Sequence, residues 1–460
     1  MSARHGQVYP FRLQKRPHVG IALSGGGARG TAQIGVLKAL EENHIPIDFI
    51  SATSIGSIIG GLYASGYTVA EIESLALSTN WDELLSLSDE AQRTDLAIDQ
   101  KLADDWSFLV VRFEGLQPVL PHAVSTGQRL TNFLSEKTLQ GIYHPNPNFN
   151  DLKVPFRAVT TDLISGRRVV LDRGSLAEAL RASSTVPLLF TPLERDTMRL
   201  VDGGLITNIP VDVAKDAGCA IVVAVNTTSG LRNAGELLVP WETADQIMGI
   251  MMQLSNQEQL KNADVTITPA VGRHPSSSFY DLDFLIDQGY KSTLQQIDSI
   301  RFLYQRSLHA IDTAPDGGVI RVFDNIQIEV VGTGVPDSVL LKIKNDGYVG
   351  RLTSEQIRKH IRWLGDTGNL KNVWVDVYPD ASPVRVVYHL EPNATLTRVE
   401  FTGNGLVSTE KLTAEIKPLL GKWLNHSQYD KAIERILRLY RKEGYSLARI
   451  SGTFFDDSTG

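Results

Sequence analysis

The stretch VGIALSGGGARG, residues 19–30, decides how the first two thirds of this chain are read. An apolar run from Val19 to Leu23 passes into a glycine-dense hexapeptide, and TAQIGVLKALEEN follows with helical spacing. A short continuous apolar run before a helix fits a strand buried on both faces. Glycine amides between such a strand and a helix N-terminus are aimed at an anion, whose identity the loop alone leaves open. GGGARG satisfies G-x-G-x-x-G, so a dinucleotide's pyrophosphate is one client. That fingerprint also asks for an acid about 20 residues on, at the end of the next strand. Asp48 has roughly that separation but precedes FISATS (49–54) instead of ending it. No Gly-Lys-Ser/Thr follows the loop, which excludes a Walker A phosphate cradle.

Outward from the loop, strand-like runs alternate with helical patterns to about residue 310. The runs are VGIALS (19–24), FISATS (49–54), FRAVTTDL (156–163), RRVVL (167–171) and AIVVAVN (220–226). IGSIIGGLYASG, SLAEALRAS and VDVAKDAG read as helices between them. The pattern predicts an α/β fold with a mostly parallel sheet sandwiched by helices. Thr68 with Glu71, and Ser175 with Glu178, have capping-box spacing, and Gly66 suits a helix C-terminal cap. The segment 80–150, with Trp81, Trp106 and YHPNPNFN (143–150), reads as an excursion from the sheet, either a lid or substrate wall or an ordinary insertion.

Composition narrows the function classes. The chain has 460 residues, too many for one core, with 42% apolar and 21% charged residues. A net charge of −7 argues against a nucleic-acid partner. It also gives no general attraction to anionic membranes, so lipid contact would be local and apolar. The lone cysteine, Cys219, excludes an intrachain disulfide and a thiolate cluster, and reads as a small buried apolar residue. No apolar run reaches the length of a membrane-spanning helix. The basic N-terminus lacks the apolar core of a signal peptide, so either the protein stays inside or a signal has been removed.

Character changes at IDTAPDGGVI (311–320), a turn-rich linker. Two similar units follow, NIQIEVVGTGVPDSVLLKI and TLTRVEFTGNGLVSTEKLTAEI. Gly332 and Gly334 match Gly403 and Gly405, Glu329 matches Glu400, and Asp337 matches Ser408, at one constant offset. The first unit continues into a helix and two alternating strands, VWVDVYP and VRVVYHLEP; the second shows a helix and one strand, LARISGTFF. The second copy is therefore expected to be incomplete. The domain expectation is an extension (1–17), an α/β domain (18–310), a linker (311–321) and two repeats (322–393 and 394–460).

The second strand narrows the anion. It ends in Ala52-Thr53-Ser54-Ile55-Gly56 and enters a helix rich in small residues. That is the layout of a nucleophile elbow, in which a sharp turn presents a serine above the sheet. The usual G-x-S-x-G has Ala52 at its first glycine here. On its own, a serine in this setting is also a common helix N-cap. A nucleophilic serine needs a base. His122, His144, His274 and His309 lack recognisable catalytic framing, whereas Asp202 stands where a strand-like run breaks at Gly203 and Gly204.

The ordered set GGGARG, ATSIG and DGG resembles the patatin-like phospholipase family, whose members resemble the catalytic fold of cytosolic phospholipase A2. The likeness extends through IGVLKALEENHIPIDFISATSIGSIIGGLYASG, VTTDLISGRRVVL, ALRASSTVPLLFTPL and DGGLITNIPVDVAKDAGC, covering residues 18–230 densely. It implies a Ser54–Asp202 dyad with no metal and no cofactor, acting on a phospholipid or other lipid ester. It also implies an oxyanion hole drawn from Gly25, Gly26, Gly27 and Arg29, the amides of Gly26 and Gly27 taking the developing charge. Gly30, Ala52, Gly56, Gly203 and Gly204 complete the motifs. Asp162 reads as structural. Residues 322–460 resemble two POTRA repeats, as in bacterial fusions where the repeats lie in the periplasm and a β-barrel comes next. The resemblance thus implies a cell-envelope location, contact with a membrane surface and a β-barrel partner not contained in this chain. A catalytically silent platform with this fold and a dinucleotide-binding enzyme are the alternatives.

Overall fold

Strands buried on both faces must be apolar throughout, and the main sheet meets that demand. The computed structural model describes residues 9–12, 16–85, 112–114, 117–119, 125–141, 148–228, 240–313, 320–332, 341, 343, 350–445, 448 and 450. Two units divide the chain: Pro17–Tyr304, and Gln305–Gly460 together with Met1–Arg16. The first unit opens with β1 (Val19–Leu23), α1 (Ala32–Glu42), β2 (Phe49–Thr53) and α2 (Ile55–Ala64). After an excursion come β3 (Phe156–Asp162), β4 (Arg167–Leu171), α3 (Leu176–Ser183), β5 (Leu193–Arg195) and β6 (Met198–Asp202). The unit continues with α4 (Val211–Asp216), β7 (Ile221–Val225), α5 (Pro240–Asn262), β8 (Val265–Ile267) and α6 (Leu282–Leu294).

Eight strands form one sheet in the order β8-β7-β1-β2-β3-β6-β5, with β4 also paired to β3. The pairs from β8 to β3 are parallel, while β6 runs antiparallel to both β3 and β5. Ile21, Leu23, Ile50 and Phe156 are fully buried between the helical layers. Each contributes roughly 1.5–3 kcal/mol relative to exposure. Asp48 Oδ2 accepts the Val19 N–H at 2.8 Å and ties β1 to the start of β2. Cys219 is buried against Gly20, and burial pushes its thiol up to about 11.

Register places the elements that matter. Leu23 pairs with Ala52, so the loop after β1 lies beside the turn after β2. Thr53 pairs with Val159, and the next residue of β3, Thr160, pairs with Asp202. Asp202 thus falls in the same row of the sheet as Ser54, although 148 residues separate them.

The capping expectations hold with one difference. Thr68 and Glu71 form the full reciprocal box, whereas Ser175 Oγ accepts the Glu178 N–H with no bond returned. Gly66 ends its helix at φ +100°, a left-handed conformation that costs glycine least. Within the 80–150 excursion, Trp81 stacks on Phe279 at 4.5 Å and a helix spans Gln128–Gln140. Trp106 and residues 143–147 lie outside the described residues.

In the second unit Tyr9–Arg12 is an edge strand, antiparallel to Leu370–Tyr378. Next to it come Val384–Pro392 and then Ile326–Val331, paired parallel. The helix Ser354–Asp366 begins at a capping box formed by Thr353 and Gln356. Further on, the helices Thr409–Ile416 and His426–Lys442 pack around Leu412, Ile416, Ala432 and Ile436. Ser408 caps the first of these two. The segment VEFTGNG (399–405) is not part of any described ladder; most of LARISGTFF lies outside the described residues, as do Gly334 and Asp337.

One contact in the first unit is tight enough to test. α1 crosses α6 at Gly35 and Gly289; a Cβ on Gly289 would lie 1.8 Å from Ala32 O, and one on Gly35 would lie 1.8 Å from Ile286 O. These obstacles are backbone, so they cannot rotate away. Gly289→Ala is expected to cost about 1–3 kcal/mol and lower the denaturant midpoint at unchanged slope. An unchanged midpoint would mean that the helices do not approach this closely.

Candidate active site

Three chain breaks meet at one end of the sheet. β1 hands the chain to Ser24, whose Oγ accepts the Thr227 N–H at 2.9 Å, while Ser24 N–H donates to Val225 O. Gly25 N–H donates to Asn208 O at 3.2 Å, and Ala28 N–H donates to Ser276 O at 2.8 Å. Between them, the amides of Gly26 and Gly27 have no hydrogen-bond partner among the described residues. Gly27 sits at φ +57°, where a Cβ would strike Ser276 O at 2.1 Å. The expectation for Gly25 is corrected here: its amide is committed to Asn208 and anchors the loop. Arg29 is buried, at 6% exposure, in the short turn that opens α1. Gly30 lets that turn pack against Ile55.

β2 ends on Ser54 at φ +55° and ψ −129°. A non-glycine residue there is strained by about 1–3 kcal/mol and persists only when its surroundings hold it. They do so with several bonds. Ser54 N–H donates to Ser183 Oγ at 3.0 Å, and Ser183 Oγ donates to Val159 O at 2.7 Å. Ser57 donates to Ser54 O through both its amide (2.8 Å) and its hydroxyl (2.6 Å). Thr53 Oγ1 donates to Thr207 O. At Gly56 a Cβ would meet Ser24 O at 2.6 Å and Leu23 O at 2.9 Å, so no larger residue fits without moving the loop. Ala52 is fully buried and its methyl is accommodated there.

β6 delivers Asp202, at 4% exposure. Its N–H donates to Thr185 O at 2.8 Å. Its Oδ1 accepts the Gly204 N–H at 2.8 Å, and its Oδ2 accepts the Ser54 hydroxyl at 2.6 Å. The second distance is that of an O–H···O⁻ bond. Burial pushes the carboxyl up to about 6, opposed by the two donors. Gly203 has no room for a side chain, since a Cβ would lie 2.3 Å from Val159 O.

A hydroxyl on a carboxylate of raised pKa, with two unengaged amides nearby, is a set able to carry out acyl transfer. His274 is placed elsewhere: its ring nitrogens lie 3.0 Å from Pro275 O and Tyr280 O. Among the described residues no group of His, Cys, Asp and Glu is arranged to hold a metal ion. Asp162 is used structurally: Ser165 Oγ and the amides of Arg199, Ile164 and Ser165 donate to it, holding its carboxyl down at about 2. Ser183, Thr185 and Asn208 were not singled out from the sequence. The hydroxyl run after α3 and the asparagine shortly after DGG are visible there, but neither signals which carbonyl or amide it meets.

A family model described as "Patatin-like phospholipase" matches residues 21–215, and a POTRA model, "Surface antigen variable number repeat", matches residues 394–460. "Patatin-like phospholipase domain-containing protein 6" of Mus musculus is 33% identical over 229 residues, 48% of this chain and 15% of that protein. "Lysophospholipase NTE1" of Mycosarcoma maydis is 30% identical over 305 residues, 61% of this chain and 15% of that protein. The chain thus spans about 15% of the length of these relatives. Among solved structures, "POTRA1-2 of the periplasmic domain of Omp85 from Anabaena" is 20% identical, with a TM-score of 0.23, covering 29% of this chain and 88% of that one.

The raised pKa of Asp202 links the site to stability. A carboxyl whose folded pKa lies above its unfolded value contributes stability while protonated, and this is lost as pH rises through about 6. Asp202→Asn is neutral at every pH. It is therefore expected to gain stability over the wild type at pH 8, on the order of 1–3 kcal/mol, and less at pH 4. Equal gains at both pH values, by chemical denaturation, would mean that the carboxyl is not held above its ordinary range.

Proposed function

Because the chain carries a patatin-like phospholipase domain and a POTRA domain, we propose that it is a serine lipid acyl hydrolase working through a Ser54–Asp202 dyad. The observation that carries this reading is the 2.6 Å bond from Ser54 Oγ to Asp202 Oδ2 at a strained strand-to-helix turn. Ser54 Oγ attacks the ester carbonyl carbon as Asp202 takes the hydroxyl proton. The amides of Gly26 and Gly27, with the N-terminal end of α1 behind them, receive the charge on the carbonyl oxygen. The tetrahedral intermediate collapses, the alcohol leaves with the proton from Asp202, and an acyl group stays on Ser54. Water, deprotonated by Asp202, then releases the fatty acid and restores the hydroxyl. The substrate class is a phospholipid or lysophospholipid ester presented at a membrane surface.

The POTRA match extends the proposal to location. The match at residues 394–460, with the similar stretch 322–393 before it, supports a proposed location in a bacterial cell envelope beside a β-barrel module. A dinucleotide reading has less support, because the acid it requires, Asp48, holds the Val19 amide.

Hydrolysis of a p-nitrophenyl ester and of phosphatidylcholine vesicles is expected in the presence of EDTA. Ser54→Ala and Asp202→Asn are each expected to lose at least about 10³-fold in kcat. The base works only when ionised, so kcat/KM should rise with pH and level off above about 6. Turnover surviving Ser54→Ala would overturn the dyad, and loss on EDTA alone would assign the chemistry to a metal.

A further inference from the structure

Asn208 stands beside both members of the dyad without a place in the mechanism above. It is 4% exposed, and among the described residues its Nδ2 has no hydrogen-bond partner. A buried amide donor left unmade is costly, so such a group in a working site calls for a partner that arrives. Its position is defined by two glycines. A Cβ on Gly25 would lie 2.5 Å from Asn208 Oδ1 and 3.1 Å from Ser54 Cβ. A Cβ on Gly204 would lie 3.1 Å from Asn208 Oδ1 and 3.0 Å from Asp202 Oδ1. The carboxamide thus borders the spaces that open where these two glycines lack side chains, one next to the nucleophile and one next to the base.

The backbone carrying it is fixed at both ends of that space. Asn208 O accepts the Gly25 N–H, Thr207 O accepts the Thr53 hydroxyl, and Thr207 N–H donates to Gly203 O at 2.8 Å. One short segment therefore ties together the oxyanion loop, the serine turn and the aspartate turn. Packing alone would be served as well by an apolar residue of the same size, without an unpaired donor.

Resting on the acyl-transfer reading, we propose that the Asn208 carboxamide is a third hydrogen-bond donor to the reacting acyl group, joining the Gly26 and Gly27 amides on the oxyanion. No bond is made or broken at Asn208; its N–H strengthens its contact as negative charge grows on the carbonyl oxygen. A donor that acts in this way raises kcat more than it lowers KM.

The test compares wild type, Asn208→Leu and Asn208→Ala on a p-nitrophenyl ester, with an alkyl trifluoromethyl ketone as tetrahedral mimic and an ether lipid as ground-state ligand. Wild-type activity together with its loss in Ser54→Ala must first be observed; without these the acyl-transfer reading itself fails. The proposal then expects kcat to fall about 10²–10³-fold in both variants, with KM changed less than threefold. Ketone affinity should fall by the same factor as kcat/KM, with ether-lipid affinity unchanged. Turnover within threefold of wild type in a folded variant overturns the proposal. So does a loss of turnover that leaves ketone binding intact, or the collapse of the fold in both variants, which would make the carboxamide structural.

Discussion

The bond from Ser54 Oγ to Asp202 Oδ2 exists only while three strands keep one register. β2 sets the height of Ser54, β3 transmits it through Thr53 and Val159, and β6 returns antiparallel so that Asp202 meets Thr160. A one-residue slip of β6 would turn Asp202 to the opposite face of the sheet. The register is held by the pairs Thr160–Asp202, Thr161–Val201 and Asp162–Leu200 and by the Asp202 N–H on Thr185 O. The meeting of Ser54 and Asp202 is in this sense a consequence of strand pairing: while β6 keeps its ladder with β3, the aspartate stays level with the serine.

The same burial sets the chemistry. A carboxylate at 4% exposure would ordinarily protonate near neutrality, and two donors keep it only partly below that point, at about 6. A fully hydrated aspartate would be too weak a base for a hydroxyl, and an undonated buried one would be protonated at working pH. The Gly204 amide and the Ser54 hydroxyl place it between these limits. Strain at Ser54 belongs to the same economy of position, since its left-handed φ aims the side chain and lets its carbonyl start α2 through Ser57.

Much of this was legible in the sequence, and the limits of legibility are physical. A mostly parallel sheet covered by helices follows from apolar runs alternating with amphipathic helices, and Ser54 and Asp202 are marked by the breaks at which strands end. What could not be read is which amide serves which purpose. Gly25, Gly26 and Gly27 are indistinguishable as letters; they differ because the chain near residue 208 returns to the Gly25 amide and leaves the other two. Asn208, Ser183 and Thr185 act through contacts between residues far apart in the chain, which leave no periodic trace. Tyr9–Arg12 is too short to show alternation, yet it pairs with Leu370–Tyr378 because that strand would otherwise expose an unpaired edge.

The glycine-rich loop shows why a fingerprint shared by several chemistries needs its surroundings to be interpreted. A loop that cradles a resident phosphate presents many amides at once, since the ligand carries its charge throughout. Here Gly25 and Ala28 give their amides to Asn208 O and Ser276 O. Among the described residues the Gly26 and Gly27 amides remain without a partner, a narrow pair that suits a single oxygen better than a phosphate. The neighbour of that pair is a hydroxyl bonded to a carboxylate, which would repel a permanent anion and can lose its repulsive charge when the carboxylate accepts the serine proton. In the proposed reaction, negative charge appears on the substrate oxygen just as it disappears from Asp202. On the proposed reading, the loop and the Ser54–Asp202 pair suit a reacting ester better than a stable phosphate, although the letters GGGARG alone would admit both.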